Sequence, residues 1–167
     1  MRRNLLAVLA FGALAIAACS PPAQQAETTP APVESTPAPE TEMPSNPEAV
    51  LIELAIQDAN GATLSGDPER GERVFAQCQS CHTVDAGVNR TGPSLHAIVG
   101  RTAGSVEGFR YSDANRNSGI TWSEQELFNY LENPRVRIPG TTMAFAGIRN
   151  AQQRADLIAY LKHESDE

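Results

Sequence analysis

Lysine is almost missing from this chain, for Lys162 is the only one among 167 residues. Lys and Arg together number 13 against 20 Asp and Glu, a formal net charge of −7 that argues against a nucleic-acid binder. Aromatic residues are scarce at 5% and hydrophobic ones make 41%, which permits a globular core but a small one. The longest apolar run, Leu5 to Ala18, is shorter than the roughly 20 residues a transmembrane helix needs. Cysteine occurs only at Cys19, Cys78 and Cys81, too few for a closed four-cysteine zinc site. His96 and His163 show no spacing that would complete such a site with the cysteine pair. Strand signals are lacking around that pair, so a thioredoxin-like redox motif does not fit.

What is present is Cys78-Gln79-Ser80-Cys81-His82. Cys-x-x-Cys-His is the attachment signal for a c-type haem. Two thiols with two residues between them each add to a vinyl group of one porphyrin, and the histidine that follows aims a ring nitrogen at the iron. A disulfide between Cys78 and Cys81 would be strained and would leave His82 unexplained. A second axial ligand is needed for closed iron. Met43 and Met143 are the only methionines after residue 1. Met43 falls in a low-complexity stretch, and Met143 follows the loop Ile138-Pro139-Gly140-Thr141-Thr142. A thioether is a soft ligand that raises the haem potential when paired with histidine. Met143 is therefore the candidate. His96 and His163 read as structural and solvated, respectively.

The N-terminal part reads as targeting. Arg2 and Arg3 precede the apolar run, and residues 1–18 form a signal peptide. The run ends Ile16-Ala17-Ala18-Cys19, which resembles a bacterial lipobox, with Cys19 lipidated as the new amino terminus. The alternatives are ordinary cleavage that leaves Cys19 a free thiol, or an uncleaved anchor. Ser20 resembles an outer-membrane sorting signal in enterobacteria. Residues 19–47 hold eight of the twelve prolines and almost no large apolar side chain, so they read as a disordered linker. As a flexible coil, the stretch from Ser20 to Gly66 would span about 35–40 Å. Residues 48–65 form a short apolar segment before the domain; Glu48 to Ile56 reads as a helix or a strand, and Asn60-Gly61 as a turn.

Residues 66–167 read as helices joined by loops, with Gly100 to Gly119 mostly loop. Asp67-Pro68-Glu69 opens a helix that delivers the chain to Cys78. Gly71 is costly inside it and marks a close crossing by another helix. Tyr111 to Asn117 fits one helical turn. A further helix opens at Thr121 or Ser123, both of which fit a capping box, and ends at Pro134. Asn150 with Gln153 caps a last helix to about Glu164, with Leu157, Ile158 and Leu161 on one face. These residues place it across the first helix near Gly71. From Gly66 onward there are 13 acidic and 11 basic residues, so the domain is nearly balanced while the tether is acidic.

Several blocks together make the region from Gly66 to about Glu164 resemble a class I, mitochondrial-type cytochrome c. They are Cys78 to Val84, Thr91-Gly92-Pro93, Gly108 to Asn115, Gly119 to Trp122, Tyr130 to Pro134, Ile138 to Thr141 with Met143, Phe145 to Ile148, and Asp156 to Lys162. The resemblance implies an all-α fold, with N- and C-terminal helices crossing around one covalent haem c. Cys78 and Cys81 would carry the thioether bonds, with His82 and Met143 as axial ligands. The Pro93 carbonyl would accept the other imidazole N–H of His82. Arg101, Tyr111 and Trp122 would lie near the haem propionates. Asn115, Tyr130 and Thr141 would form a polar network near Met143, and Phe145 would shield the haem edge. The family's lysine-rich docking face is mostly missing here. Gln77, Val136 and Thr142 stand where lysines are common, while Arg90, Arg135 and Arg149 keep part of the charge.

The expected function is a membrane-tethered, monomeric electron carrier and not an enzyme. It would take electrons from quinol–cytochrome c reductase and pass them to a terminal oxidase on the periplasmic side of the envelope. Function favours the inner membrane, and the outer membrane is the alternative. The competing reading is a haem enzyme or gas sensor with an open iron site. That reading has no use for Met143, and a lipoprotein with no redox role has none for the pentapeptide.

Overall fold

The computed structural model describes residues 49–166. The targeting segment, Cys19, the linker to Pro47, Met43 and Glu48 lie outside the described residues. Among the described residues seven elements follow in order: β1 (Ile52–Gln57), β2 (Thr63–Gly66), α1 (Pro68–Phe75), α2 (Asp113–Arg116), α3 (Glu124–Glu132), α4 (Pro134–Arg137) and α5 (Ala151–Asp166).

Helix α1 starts where its cap dictates. The Asp67 carboxylate accepts the N–H groups of Glu69 at 2.9 Å and Arg70 at 3.3 Å, and Pro68 occupies the first turn. Past Phe75 the chain stays coiled, with the Cys78 N–H on the Phe75 carbonyl at 2.7 Å and the His82 N–H on the Cys78 carbonyl at 2.9 Å. Helix α1 thereby fixes where the pentapeptide sits.

Helix α5 crosses α1 at Gly71. A Cβ at Gly71 would run into the Asp156 carbonyl and lie 2.6 Å from the Tyr160 Cβ, so only glycine permits this approach. Polar groups lock the crossing. Arg70 grips the buried Asp156 carboxylate with Nε at 2.9 Å and Nη2 at 3.1 Å, and the Asp67 N–H donates to the same carboxylate at 2.9 Å. The Phe75 and Tyr160 rings meet at 5.2 Å between centroids.

Ser123 is the cap of α3, its hydroxyl accepting the Glu126 N–H at 3.1 Å. Pro134 ends that helix as expected but also begins the four-residue α4, capped by Asn133. The core joins Val74, Phe75, Ile98, Trp122, Leu127, Phe128, Tyr130, Ile138, Ile148, Leu157, Ile158 and Leu161.

The all-α expectation is corrected by a hairpin. β1 and β2 pair antiparallel, from Ile52 opposite Gly66 to Gln57 opposite Thr63, and turn through Gly61 at φ 80°. Of the two conformations the sequence of residues 48–56 allows, helix or strand, strand forms from Ile52 onward. The reason is burial on one face. Leu54 and Ile56 alternate with exposed neighbours and are 2% and 0% exposed. Each such side chain contributes about 1.5–3 kcal/mol relative to an exposed position. Gly66 lies on α5, where a Cβ would clash with the Ala155 carbonyl and sit 2.7 Å from the Ala159 Cβ. The outer edge of β1 is closed by α3: Glu124 Oε2 accepts the Ala55 N–H, and Gln125 Oε1 accepts the Gln57 N–H at 2.7 Å. Both edge donors are thus satisfied without another strand.

Candidate functional site

Cys78 and Cys81 are free and half-buried. Burial, followed by the neighbouring Cys81, pushes the Cys78 thiol up to about 11. A thiol at this position stays protonated at neutral pH until a bond consumes it, unlike a thiolate poised for redox exchange or metal capture. Among the described residues no cluster of three or more His, Cys, Asp or Glu could hold a metal ion.

His82 is fixed in orientation. Its Nδ1 lies 2.8 Å from the Pro93 carbonyl, which makes Nδ1 the protonated nitrogen and leaves Nε2 with its lone pair. Its ring lies against Gly92, where a Cβ would collide with Cε1 and sit 2.6 Å from Nδ1. The Gly92 N–H in turn donates to the Cys81 carbonyl at 2.8 Å. The turn carrying the cysteines is thus tied directly to the loop that braces the histidine. Burial lowers the imidazole pKa, partly opposed by the Pro93 contact, so the ring is neutral as a ligand must be.

Met143 is half-buried against the core on the loop between α4 and α5. Its N–H donates to Thr141 Oγ1 at 3.3 Å, and the Tyr130 hydroxyl donates to its sulfur at 3.7 Å. Burial pushes the Tyr130 phenol up to about 12 despite a hydrogen bond with Thr141, so it keeps its donor proton. Asn115 is not joined to these three by any hydrogen bond among the described residues. Its side-chain oxygen is buried without a partner.

Arg101 and Trp122 lie on paired segments, with the Trp122 N–H on the Arg101 carbonyl at 2.9 Å. The Arg101 guanidinium donates to the carbonyls of His96 at 2.7 Å and Ser94 at 2.8 Å, which ties it to the Pro93 loop. Burial lowers its pKa, and the nearby Tyr111 hydroxyl opposes that. Trp122 meets Tyr130 at 4.8 Å between ring centroids. Tyr111 instead stacks edge-on with Phe109, also at 4.8 Å. Phe145 packs half-buried on the core beyond Met143. His96 serves through its backbone, and His163 is half-exposed beside Glu164 at 3.6 Å.

Sequence reasoning passed over Arg154 and Phe128. Both are buried, with the guanidinium 4.2 Å above the ring. A charged residue at the start of an apolar stripe reads as its solvated flank, so nothing in the pattern marked it.

A family model for Cytochrome c matches residues 68–165. Cytochrome c 2.1 of Caenorhabditis elegans is 52% identical over 102 residues, which are 60% of this chain and 92% of that one. Cytochrome c2 of Blastochloris viridis is 50% identical over 113 residues, 67% of this chain and 87% of that one. The solved structure of cytochrome cH from Methylobacterium extorquens superposes with a TM-score of 0.56 at 41% identity, over 59% of this chain and 99% of that one.

Proposed function

The chain belongs to the cytochrome c family, and from that premise we propose that it is a membrane-tethered one-electron carrier whose iron is held between His82 and Met143. Members of this family are electron carriers, not enzymes, and the chain carries one covalently bound haem c. When bound, that group supplies a ferric/ferrous couple that gains or loses one electron.

The residues fit such a group. Two free thiols stand with two residues between them, and the imidazole presents a single available nitrogen. A thioether already accepts from Tyr130, and the orphaned Asn115 oxygen lies buried, as a polar group facing a bound partner or water would. Cys78 and Cys81 carry the thioether links. Pro93 holds His82 in place, and Thr141 and Tyr130 hold Met143. Arg101, Tyr111 and Trp122 serve the propionate side, Asn115 the polar network, and Phe145 the edge. The observation that carries the ligation is the pinned His82 ring, whose Nδ1 is held by the Pro93 carbonyl and whose Nε2 is left for a metal.

The tether, lipidated at Cys19, places the domain on the periplasmic side of a membrane. There it works as a monomer between quinol–cytochrome c reductase and a terminal oxidase. Contacts with both partners are small and transient. With few lysines, docking depends less steeply on salt than in lysine-rich relatives. The test is stopped-flow mixing of the ferric protein with reduced reductase. Rapid reduction with unchanged axial ligation is expected, and no turnover with reductase or oxidase would contradict it.

Lysine scarcity has a second consequence. In lysine-rich relatives, lysines at positions matching Val136 and Thr142 displace the methionine at alkaline pH. Here Lys162, the only lysine, is bound 2.5 Å from Glu124 Oε1 where β1 meets α3 and α5. The sulfur–iron absorption band therefore persists to higher pH than in those relatives. An alkaline titration that lost the band at the mildly basic pH usual for them would count against this.

A further inference from the structure

Arg154 is a buried charge for which the ligation has no direct use. It is 4% exposed. Its Nη1 places hydrogens on two successive carbonyls, Ile148 and Arg149, each at 2.8 Å. Nη2 lies 3.9 Å from Glu132 Oε2, and Nε has no partner among the described residues. The same stretch is held from the other side, for the Ile148 N–H donates to the Leu131 carbonyl at 2.8 Å. Gly147, at φ 97°, is pressed against the Glu132 carbonyl so closely that no side chain fits. Residues 147–149 are thus clamped between the end of α3 and the start of α5.

Upstream, the loop is fixed by the Thr141 N–H on the Ile138 carbonyl at 3.0 Å and by the contact of Met143 with Thr141. Between these two fixed points, Ala144 to Ala146 have no backbone hydrogen bond among the described residues. The path of the chain past Met143 and Phe145 therefore depends on what grips it at 147–149.

We propose that Arg154 is a positioning residue: by clamping the Ile148 and Arg149 carbonyls it keeps the Met143 sulfur on the iron and holds that coordination position closed. The inference rests on Met143 being the axial ligand. Arginine suits the task because its flat guanidinium lies over Phe128 while two hydrogens of one nitrogen reach both carbonyls. Without it the buried Ile148 carbonyl and the part-buried Arg149 carbonyl lose their donor, and a loop that swings out to water regains hydrogen bonds that the closed loop lacks. The balance then shifts toward the open loop.

The test compares full-length holoprotein carrying Arg154→Met, Arg154→Lys or, as a control, Arg70→Met. The control breaks the α1–α5 clasp but not the loop. Each ferric protein is followed for its sulfur–iron band and for the rate of imidazole binding, which requires the sulfur to leave. Arg154→Met is expected to bind imidazole about tenfold faster or more, the scale of losing a charge-assisted hydrogen bond. Arg154→Lys should fall between it and the unmutated protein. Arg70→Met should lower the denaturation midpoint without that acceleration. Equal acceleration in Arg70→Met and Arg154→Met would reduce Arg154 to general packing and overturn the inference. So would unchanged binding in the Arg154 variants with the band intact. If Arg154→Met does not assemble, Arg154→Lys decides on the same criterion. A missing band in the unmutated protein would overturn the ligand reading and this inference with it, whereas an intact band with unchanged kinetics overturns the clamp alone.

Discussion

Met143→Ala is expected to lower the reduction potential by at least about 0.1 V, a fraction of the roughly 0.8 V range that axial ligands command. Methionine paired with histidine favours the ferrous state because a thioether is a soft, neutral donor. Alanine leaves that side of the iron to water or to an added ligand. The sulfur–iron band should vanish, and carbon monoxide should bind the ferrous form readily. The substitution should leave the His82 contact with Pro93 in place, because the hydrogen bonds of Met143 run to Tyr130 and Thr141 and not to either of them. Potentiometry with a parallel carbon monoxide titration checks the expectation. An unchanged potential would mean that Met143 is a packing residue.

Gly71→Val is expected to be the most damaging substitution to the fold. Any side chain at Gly71 meets the Asp156 carbonyl, which is backbone and has no rotamer to escape into. The helices must separate, and separation also pulls Arg70 away from the Asp156 carboxylate it grips. Overpacking alone costs about 1–3 kcal/mol, and breaking a buried pair adds to it. Most of a small domain's stability of about 5–15 kcal/mol is at stake. Gly61→Ala is the contrast: at φ 80° with nothing within 4 Å, it strains one residue and touches no neighbour. Denaturation of the holoprotein separates the two. A large fall in midpoint for Gly71→Val with a small one for Gly61→Ala is expected, and similar midpoints would contradict the crossing argument.

The crossing could be read in advance because it leaves a local mark. A glycine inside a capped helix is costly, and a second helix whose pattern leads to it supplies the reason. The pentapeptide was legible for the same reason, its chemistry being contained in five consecutive residues. The hairpin was not. Its buried face depends on Leu54 and Ile56 finding α3 and α5, and its edge donors are met by Glu124 and Gln125, nearly seventy residues later in the chain. No local pattern reports such partners. The burial of Ala155 and Ala159 was hidden likewise, because small residues become interface only once Gly66 is laid on them. Arg154 is the functional counterpart: its partners are backbone carbonyls, which every residue has, so sequence could not distinguish it from a solvated arginine.

One measurement tests the central claim most directly: the absorption spectrum of the unmutated ferric protein in the far red, taken with the pyridine derivative of its reduced haem. The account predicts a sulfur–iron band together with a derivative typical of two thioether links, as His82 and Met143 ligating a haem held through Cys78 and Cys81 would give. A five-coordinate spectrum with no such band, or a haem extracted by acid acetone, would contradict it.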